Sequence, residues 1–138
     1  MKVMLDLNVV LDVVQKREPF YTASATVLSR AIEGPDISCL PGHALTTLHY
    51  IVAKHASRKQ ADSLIDWVLA HLEIVPQDRA QFVRARSLRF DDFEDAALAA
   101  AAEAAGCKLI LTRNVADFGA SPVPAVTPEE HLLAGFQA

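Results

Sequence analysis

Several classes of protein are excluded by what this 138-residue chain lacks. Its two cysteines form no CxxC pair and its five histidines form no HxxxH pair, so a zinc site is not expected. No apolar run approaches the roughly 18 residues that a membrane-spanning helix needs. The amino-terminal apolar stretch is interrupted by acids, which is atypical of a signal peptide. We therefore expect a cytoplasmic protein with reduced cysteines and no membrane partner.

The composition favours a folded protein that does not coat nucleic acid. Hydrophobic residues make up 51% of the chain, which is typical of a globular protein, and the length suits one domain over residues 1–138. The formal net charge of −4 argues against broad binding along nucleic acid. It leaves open a nuclease with a local basic face.

Short apolar segments alternate with helical patterns along the whole chain. The segments predicted as strands are 3–5, 37–39, 73–75, 108–111 and 125–126. The helices are predicted at about 20–32, 41–55, 57–71, 78–88 and 92–105, with another beginning at 128. This alternation predicts an α/β fold, with helices covering both faces of a parallel sheet.

A dense acidic cluster, DDFED at 91–95, runs into the alanine-rich segment 96–102. A helix amino terminus favours acids by about 0.3–1 kcal/mol each, which accounts for two carboxylates more easily than for four. Asp92 and Asp95 are three residues apart and share a helix face. Asp95 also precedes Ala99 and Ala102 on one stripe, so its carboxylate is expected to lean toward the sheet.

Two further acids follow predicted strands. Asp6 ends the first strand, and Asp117 lies in LTRNVADF, residues 111–118, after the fourth. A simpler explanation exists for each segment, because Asp6, Asn8 or Asn114 would serve as the cap of a short helix or turn. The carboxyl ends of parallel strands meet at one edge, however. Together, Asp6, Asp95 and Asp117 predict a site for Mg²⁺ or Mn²⁺, which activates water for attack on a phosphodiester.

The segments MLDLNVVLD, DFEDAALAAAA and LTRNVADF, in this order, resemble the PIN-domain family, in particular the VapC-like toxins of toxin–antitoxin pairs. The resemblance implies a three-layer sandwich with about five parallel strands and a metal-dependent endoribonuclease activity. It also implies an RNA substrate, a cognate antitoxin and a homodimer. Asp6, Asp95 and Asp117 match the catalytic, metal-binding acids of the family. The supporting polar or acidic positions are Asn8, Asp92, Glu94, Thr112 and Asn114.

One position departs from the family pattern. Where the family usually has a glutamate, early in the helix after the second strand, this chain has Thr47 in HALTTLHYI. A threonine hydroxyl is able to hold water but adds no charge. Either Asp92 or Glu94 takes over part of the role, or the protein is a weakened or inactive module that binds RNA or protein.

Two other acidic folds fit less well. A receiver domain needs an aspartate that ends its third strand, and here that strand runs into proline in EIVPQD. A haloacid-dehalogenase-like phosphatase needs DxD after its first strand, and here the sequence is DLNV.

Cations for RNA are expected near the acids, because phosphate contacts dominate affinity. Arg113 lies between two proposed site residues and is the preferred contact. Arg84, Arg86 and Arg89 precede the acidic cluster.

Overall fold

Five parallel strands form one sheet in the computed structural model, which describes residues 1–135. The strands are β1 Lys2–Leu5, β2 Ile37–Pro41, β3 Glu73–Val75, β4 Leu109–Leu111 and β5 Ala125–Val126. Their order across the sheet is β3-β2-β1-β4-β5, and every neighbouring pair is parallel. The predicted parallel α/β architecture is confirmed.

Helices connect these strands. They are α1 Leu7–Val14, α2 Tyr21–Glu33, α3 Gly42–His55, α4 Arg58–His71, α5 Arg79–Ser87, α6 Phe93–Ala104 and α7 Pro128–Gly135. A 3₁₀ turn, Val115–Phe118, follows β4. Within residues 1–135, no helix has the length and apolar character to cross a bilayer.

The strand order creates a topological switch point beside β1. From β1 the chain builds outward to β2 and β3 on one side, then returns to place β4 and β5 on the other. The loops that leave β1 and β4 therefore diverge and open a crevice at the carboxyl edge of the sheet. Ligands of open parallel sheets bind at this kind of crevice.

Alternation along the strands sends side chains to two separate cores. Val3 and Leu5 of β1 pack with α1 to α4 on one face, whereas Met4 between them packs on the other face against α6. All three are essentially inaccessible to solvent. The two-residue period of a strand thus gives helices an apolar surface on both sides of the sheet.

Polar side chains cap the amino termini of three of the helices. Ser57 accepts the amide of Gln60 at 3.1 Å, and Asp78 accepts the amide of Gln81 at 3.0 Å. The cap of α6 is Asp92, which accepts the amide of Asp95. These side chains satisfy amides that have no partner within the helix.

Helix α6 packs closely because its side chains are small. Every residue from Ala96 to Ala102 is buried, and α6 contacts β1, β2 and β4. Alanine allows a helix axis to approach the sheet more closely than larger residues do. The first turn of α6 is consequently held at the carboxyl edge of the sheet, where β1 and β4 end.

The close packing of α6 predicts intolerance of larger residues. Ala99 is fully buried, so Ala99→Leu is expected to lower the free energy of unfolding by about 1–3 kcal/mol. The exposed Ala104, on the same helix, provides the matched control, and Ala104→Leu should change stability by less than about 0.5 kcal/mol. Urea denaturation measures both values. Equal effects of the two substitutions would contradict the packing argument.

Candidate active site

Asp6 is a buried carboxylate held between the ends of β1 and β4. Its Oδ1 accepts the amide of Asn8 at 3.2 Å, and its Oδ2 accepts the hydroxyl of Thr112 at 2.9 Å. Thr112 in turn accepts the amide of Asn114 at 3.0 Å. The structure thus brings Asp6, Thr112 and Asn114 together. Asp6 is also the amino-terminal cap of α1, so the simpler explanation from sequence describes the same residue.

Competing effects act on the Asp6 carboxyl. Burial raises its pKa above the ordinary value, and the negative charge of Asp92 adds to this. The hydrogen bonds from Asn8 and Thr112 and the charge of Arg113 act in the opposite direction. Asp6 is only 6% exposed, so water does little to stabilise its charge.

Asp95 lies in the first turn of α6 and is the most perturbed acid of the cluster. Its backbone amide donates to Asp92 Oδ1 at 3.0 Å, which fixes the start of the helix. Burial raises the pKa of Asp95 to about 7, and the nearby charges of Asp92, Asp6 and Asp117 contribute in that order. Acids from three separate segments of the chain therefore act on one another, and Glu94 adds a smaller effect.

Four acids line a cleft of 340 Å³, and Asp6 is not among them. Its lining includes Asp91, Asp92 and Asp95 from the acidic cluster and Asp117 from the 3₁₀ turn. A larger cavity of 760 Å³ lies between α1, α3 and α4, with Val14 and Ile51 in its wall, but its lining contains no carboxylate. Size alone therefore does not identify the site, whereas the acids do.

The carboxylates are of the chemical type that binds a hard divalent ion, but they are not positioned to coordinate one together. Within residues 1–135, no three Asp, Glu, His or Cys side chains are grouped closely enough to hold a metal ion as they stand. The available ligands are all oxygens, which Mg²⁺ and Mn²⁺ prefer. A cation would also offset the repulsion that raises the pKa of Asp95. The residues fit such an ion, provided that the carboxylates turn toward it.

Thr47 lies in the second turn of α3, which begins where β2 ends. The side chain is half-buried, and its hydroxyl donates to the carbonyl of His43 at 3.4 Å. His43 is itself fixed by Gln77, which accepts its backbone amide at 2.8 Å. The hydroxyl of Thr47 thus makes its hydrogen bond within its own helix, and the side chain supplies no charge.

Asp12 is a buried acid that the sequence analysis missed. It is fully inaccessible, and its Oδ2 accepts the hydroxyl of Ser24 at 3.3 Å. Arg113 Nε lies 3.3 Å from the same oxygen, and Arg17 lies 3.8 Å from Oδ1. The signal in the sequence was an acid in the apolar run VVLDVV, which requires a buried partner.

Arg113, the predicted RNA contact, points into the protein. Its guanidinium pairs with Asp12 and lies 4.3 Å from the centroid of the Phe20 ring. Its side chain is 22% exposed. The RNA contact stays a prediction, but the charge of Arg113 is already compensated by a buried carboxylate.

The comparison with known families agrees with the fold. The sequence profile of the PIN domain matches residues 2–116. The chain belongs to the PIN domain family. Ribonuclease VapC1 of Aquifex aeolicus (strain VF5) is 30% identical to this PIN-domain chain over 134 residues, which is 94% of this chain and 92% of that protein. The predicted resemblance to VapC-like proteins is confirmed.

Solved structures share the PIN fold. VapBC2 from Rickettsia felis, bound to a DNA fragment from its promoter, has a TM-score of 0.70 at 20% identity and covers 92% of this chain and 98% of that one. The sarcin–ricin loop cleaving toxin VapC20 of Mycobacterium tuberculosis has a TM-score of 0.64 at 12% identity, with 78% and 86% covered. At these identities the likeness is one of fold.

The raised pKa of Asp95 predicts a pH-dependent cost to stability in metal-free protein. The unfolded pKa is near 3.9, so the folded state binds this proton more tightly, and stability falls as pH rises from about 4 to about 7. Asp95→Asn should therefore stabilise the fold at about pH 8, with a gain that shrinks toward about pH 4. Denaturation in EDTA measures this, with the exposed Asp66→Asn as control. An equal gain at both pH values would contradict the assignment.

The ion pair between Asp12 and Arg113 predicts strong coupling. Arg113→Ala leaves the buried Asp12 with Ser24 and the more distant Arg17 as partners, and should cost about 2–4 kcal/mol of stability. Asp12→Asn combined with Arg113→Ala should cost less than the sum of the two single changes, because neither charge is left alone. Chemical denaturation of the four proteins tests this. Additive losses would show that the two side chains are independent.

Proposed function

We propose that this PIN-domain protein is a metal-dependent endoribonuclease and the toxin of a toxin–antitoxin pair. The observation that carries the proposal is the environment of Asp95. Burial and the charges of Asp92, Asp6 and Asp117 raise its pKa to about 7, at the switch point of a PIN fold. An arrangement this costly for the protein alone is expected where a cation binds.

Asp6, Asp95 and Asp117 are the residues that would hold Mg²⁺ or Mn²⁺. When bound, such an ion stabilises developing negative charge and lowers the pKa of water. The protein supplies the frame for this chemistry. Asn8 and Thr112 fix both oxygens of Asp6, and Asn114 fixes Thr112.

The first turn of α6 contributes orientation and additional charge. Asp92 caps the helix through the amide of Asp95, so the Asp95 side chain leaves a fixed backbone. Glu94, in the same turn, is exposed and adds to the negative potential at Asp95. We assign supporting roles to Asp92 and Glu94, and we place Asp117 on the solvent-exposed side of the site.

The second candidate function is a PIN module that binds RNA or protein without cutting it. Thr47 favours this alternative, because its hydroxyl donates to the carbonyl of His43 and it brings no charge to the site. With fewer carboxylates, the ion is held less tightly. The two functions differ in a single measurable property, the cleavage of RNA.

The partners follow from the proposed role. The substrate is RNA, and the regulator is a cognate antitoxin, as the VapBC complex of similar fold supports. Action on RNA implies work in the cytoplasm. We also propose a homodimer, to which the exposed apolar side chains of Val83 and Phe93 are available.

The direct test is cleavage of single-stranded RNA by purified protein with Mg²⁺ or Mn²⁺ and with EDTA. We expect cutting that requires the metal and falls at least about a hundredfold in Asp6→Asn, Asp95→Asn and Asp117→Asn, because each removes a charged ligand. Asp66→Asn, remote from the cleft, should cut as the unmodified protein does.

A thermal shift separates loss of metal from loss of chemistry. Mn²⁺ should raise the melting temperature of the unmodified protein, since a ligand of the folded state stabilises it, and should not raise that of Asp95→Asn. Metal-dependent stabilisation without cleavage would favour the binding module. Cleavage that persists in EDTA or in Asp95→Asn would refute the nuclease site.

A further inference from the structure

Arg89 is the basic residue that lines the acidic cleft. It lies between α5 and α6, three residues before the cap Asp92, and shares the 340 Å³ cleft with Asp95 and Asp117. Its side chain is exposed. A cleft lined by carboxylates repels a polyanion, so a cation at its edge has an evident use there.

Two other arginines near the acids are already paired. Arg84 donates to both oxygens of Glu103, at 2.9 and 3.1 Å, and Arg113 pairs with Asp12. Across residues 1–135, Arg89 has neither a hydrogen bond nor an ion pair, although Asp91 and Asp92 are close to it in the chain. Its guanidinium is therefore available to a ligand.

The backbone of Arg89 makes its identity informative. Its φ is +58°, in the left-handed region, directly after the carboxyl-terminal cap Leu88 of α5. Helices that end this way usually have glycine at this position, because a side chain there costs on the order of 1 kcal/mol. The turn itself does not need an arginine, and glycine would form it with less strain. The chain keeps a large cation where its own fold disfavours one.

We propose that Arg89 binds a phosphate of the RNA substrate at the mouth of the cleft. This inference rests on the proposed ribonuclease function and goes beyond it, since it assigns the cation that draws the backbone toward the acids. A guanidinium presents two parallel N–H donors that match the oxygens of a phosphate. Arg89 is thus assigned the RNA contact that the sequence favoured for Arg113, and within residues 1–135 its guanidinium forms no ion pair with a carboxylate.

The test uses Arg89→Gly, because glycine also suits the backbone of this turn. Steady-state cleavage of a single-stranded RNA oligonucleotide with Mg²⁺ should show KM raised about tenfold, while kcat changes little. The slope of log KM against log salt should become shallower by about 0.7, the share of one phosphate contact. Arg89→Lys should recover part of both effects.

Two controls keep the result interpretable. Arg86→Ala removes an exposed arginine from the last turn of α5, outside the cleft lining, and should leave KM and the salt slope unchanged. Arg89→Gly should melt at the same temperature as the unmodified protein or higher, since strain is relieved. A loss of RNA affinity with an intact fold is then an effect of the guanidinium.

The outcome for Arg89 is separable from that for the ribonuclease. If the unmodified protein cuts RNA and Arg89→Gly matches it in KM and salt slope, the phosphate contact is wrong. If the unmodified protein cuts nothing, the ribonuclease proposal fails. Binding of the same oligonucleotide then tests the phosphate contact of Arg89. Weaker binding of Arg89→Gly than of Arg86→Ala would then support the contact, and equal binding, or none by any of the proteins, would overturn it.

Discussion

The site depends on one hydrogen bond between residues that are 106 positions apart, from the hydroxyl of Thr112 to Asp6 Oδ2 at 2.9 Å. It joins the ends of β1 and β4 at the point where the sheet changes direction. Because the amide of Asn114 donates to the same hydroxyl, the loop after β4 is fixed by the acid at the end of β1. That loop leads into the 3₁₀ turn with Asp117, so the placement of two of the three proposed metal ligands follows from this contact.

A second constraint is the mutual repulsion of the acids, which arises because the alanine-rich helix α6 packs close to the sheet. Small side chains let α6 lie close to the sheet, and this brings Asp95 within reach of the charges of Asp6 and Asp117. Burial and this repulsion together raise the pKa of Asp95. Burial also raises the pKa of Asp12, but there Arg113 and Ser24 act in the opposite direction as partners of the carboxylate. Within residues 1–135 the proposed metal ligands Asp6, Asp95 and Asp117 make no ion pair, whereas Asp12, which joins α1 to the loop after β4, pairs with Arg113.

The sequence predicted the features that depend on local patterns. Short apolar segments predicted the five strands, and the helical patterns between them predicted the helices α2 to α6. Helix α1 was considered only as an alternative role for Asp6, because its apolar run LNVVLDVV lacks a polar face. The pairing of Asp12 with Arg113 was missed, since it joins α1 to the loop after β4 and nothing local specifies that contact.

Thr47 is best understood through the same charge balance. Helix α3 begins at the end of β2, beside β1, so a glutamate near its start would add another carboxylate to an edge where Asp95 already has a pKa of about 7. The neutral side chain reduces the repulsion in the metal-free protein, and it also reduces the attraction for a cation by the same charge. A protein with this substitution is therefore expected to be more stable without metal and to need a higher metal concentration for occupancy. A hydroxyl in place of one carboxylate thus favours stability of the metal-free fold over affinity for the metal, while the fold itself stays the same.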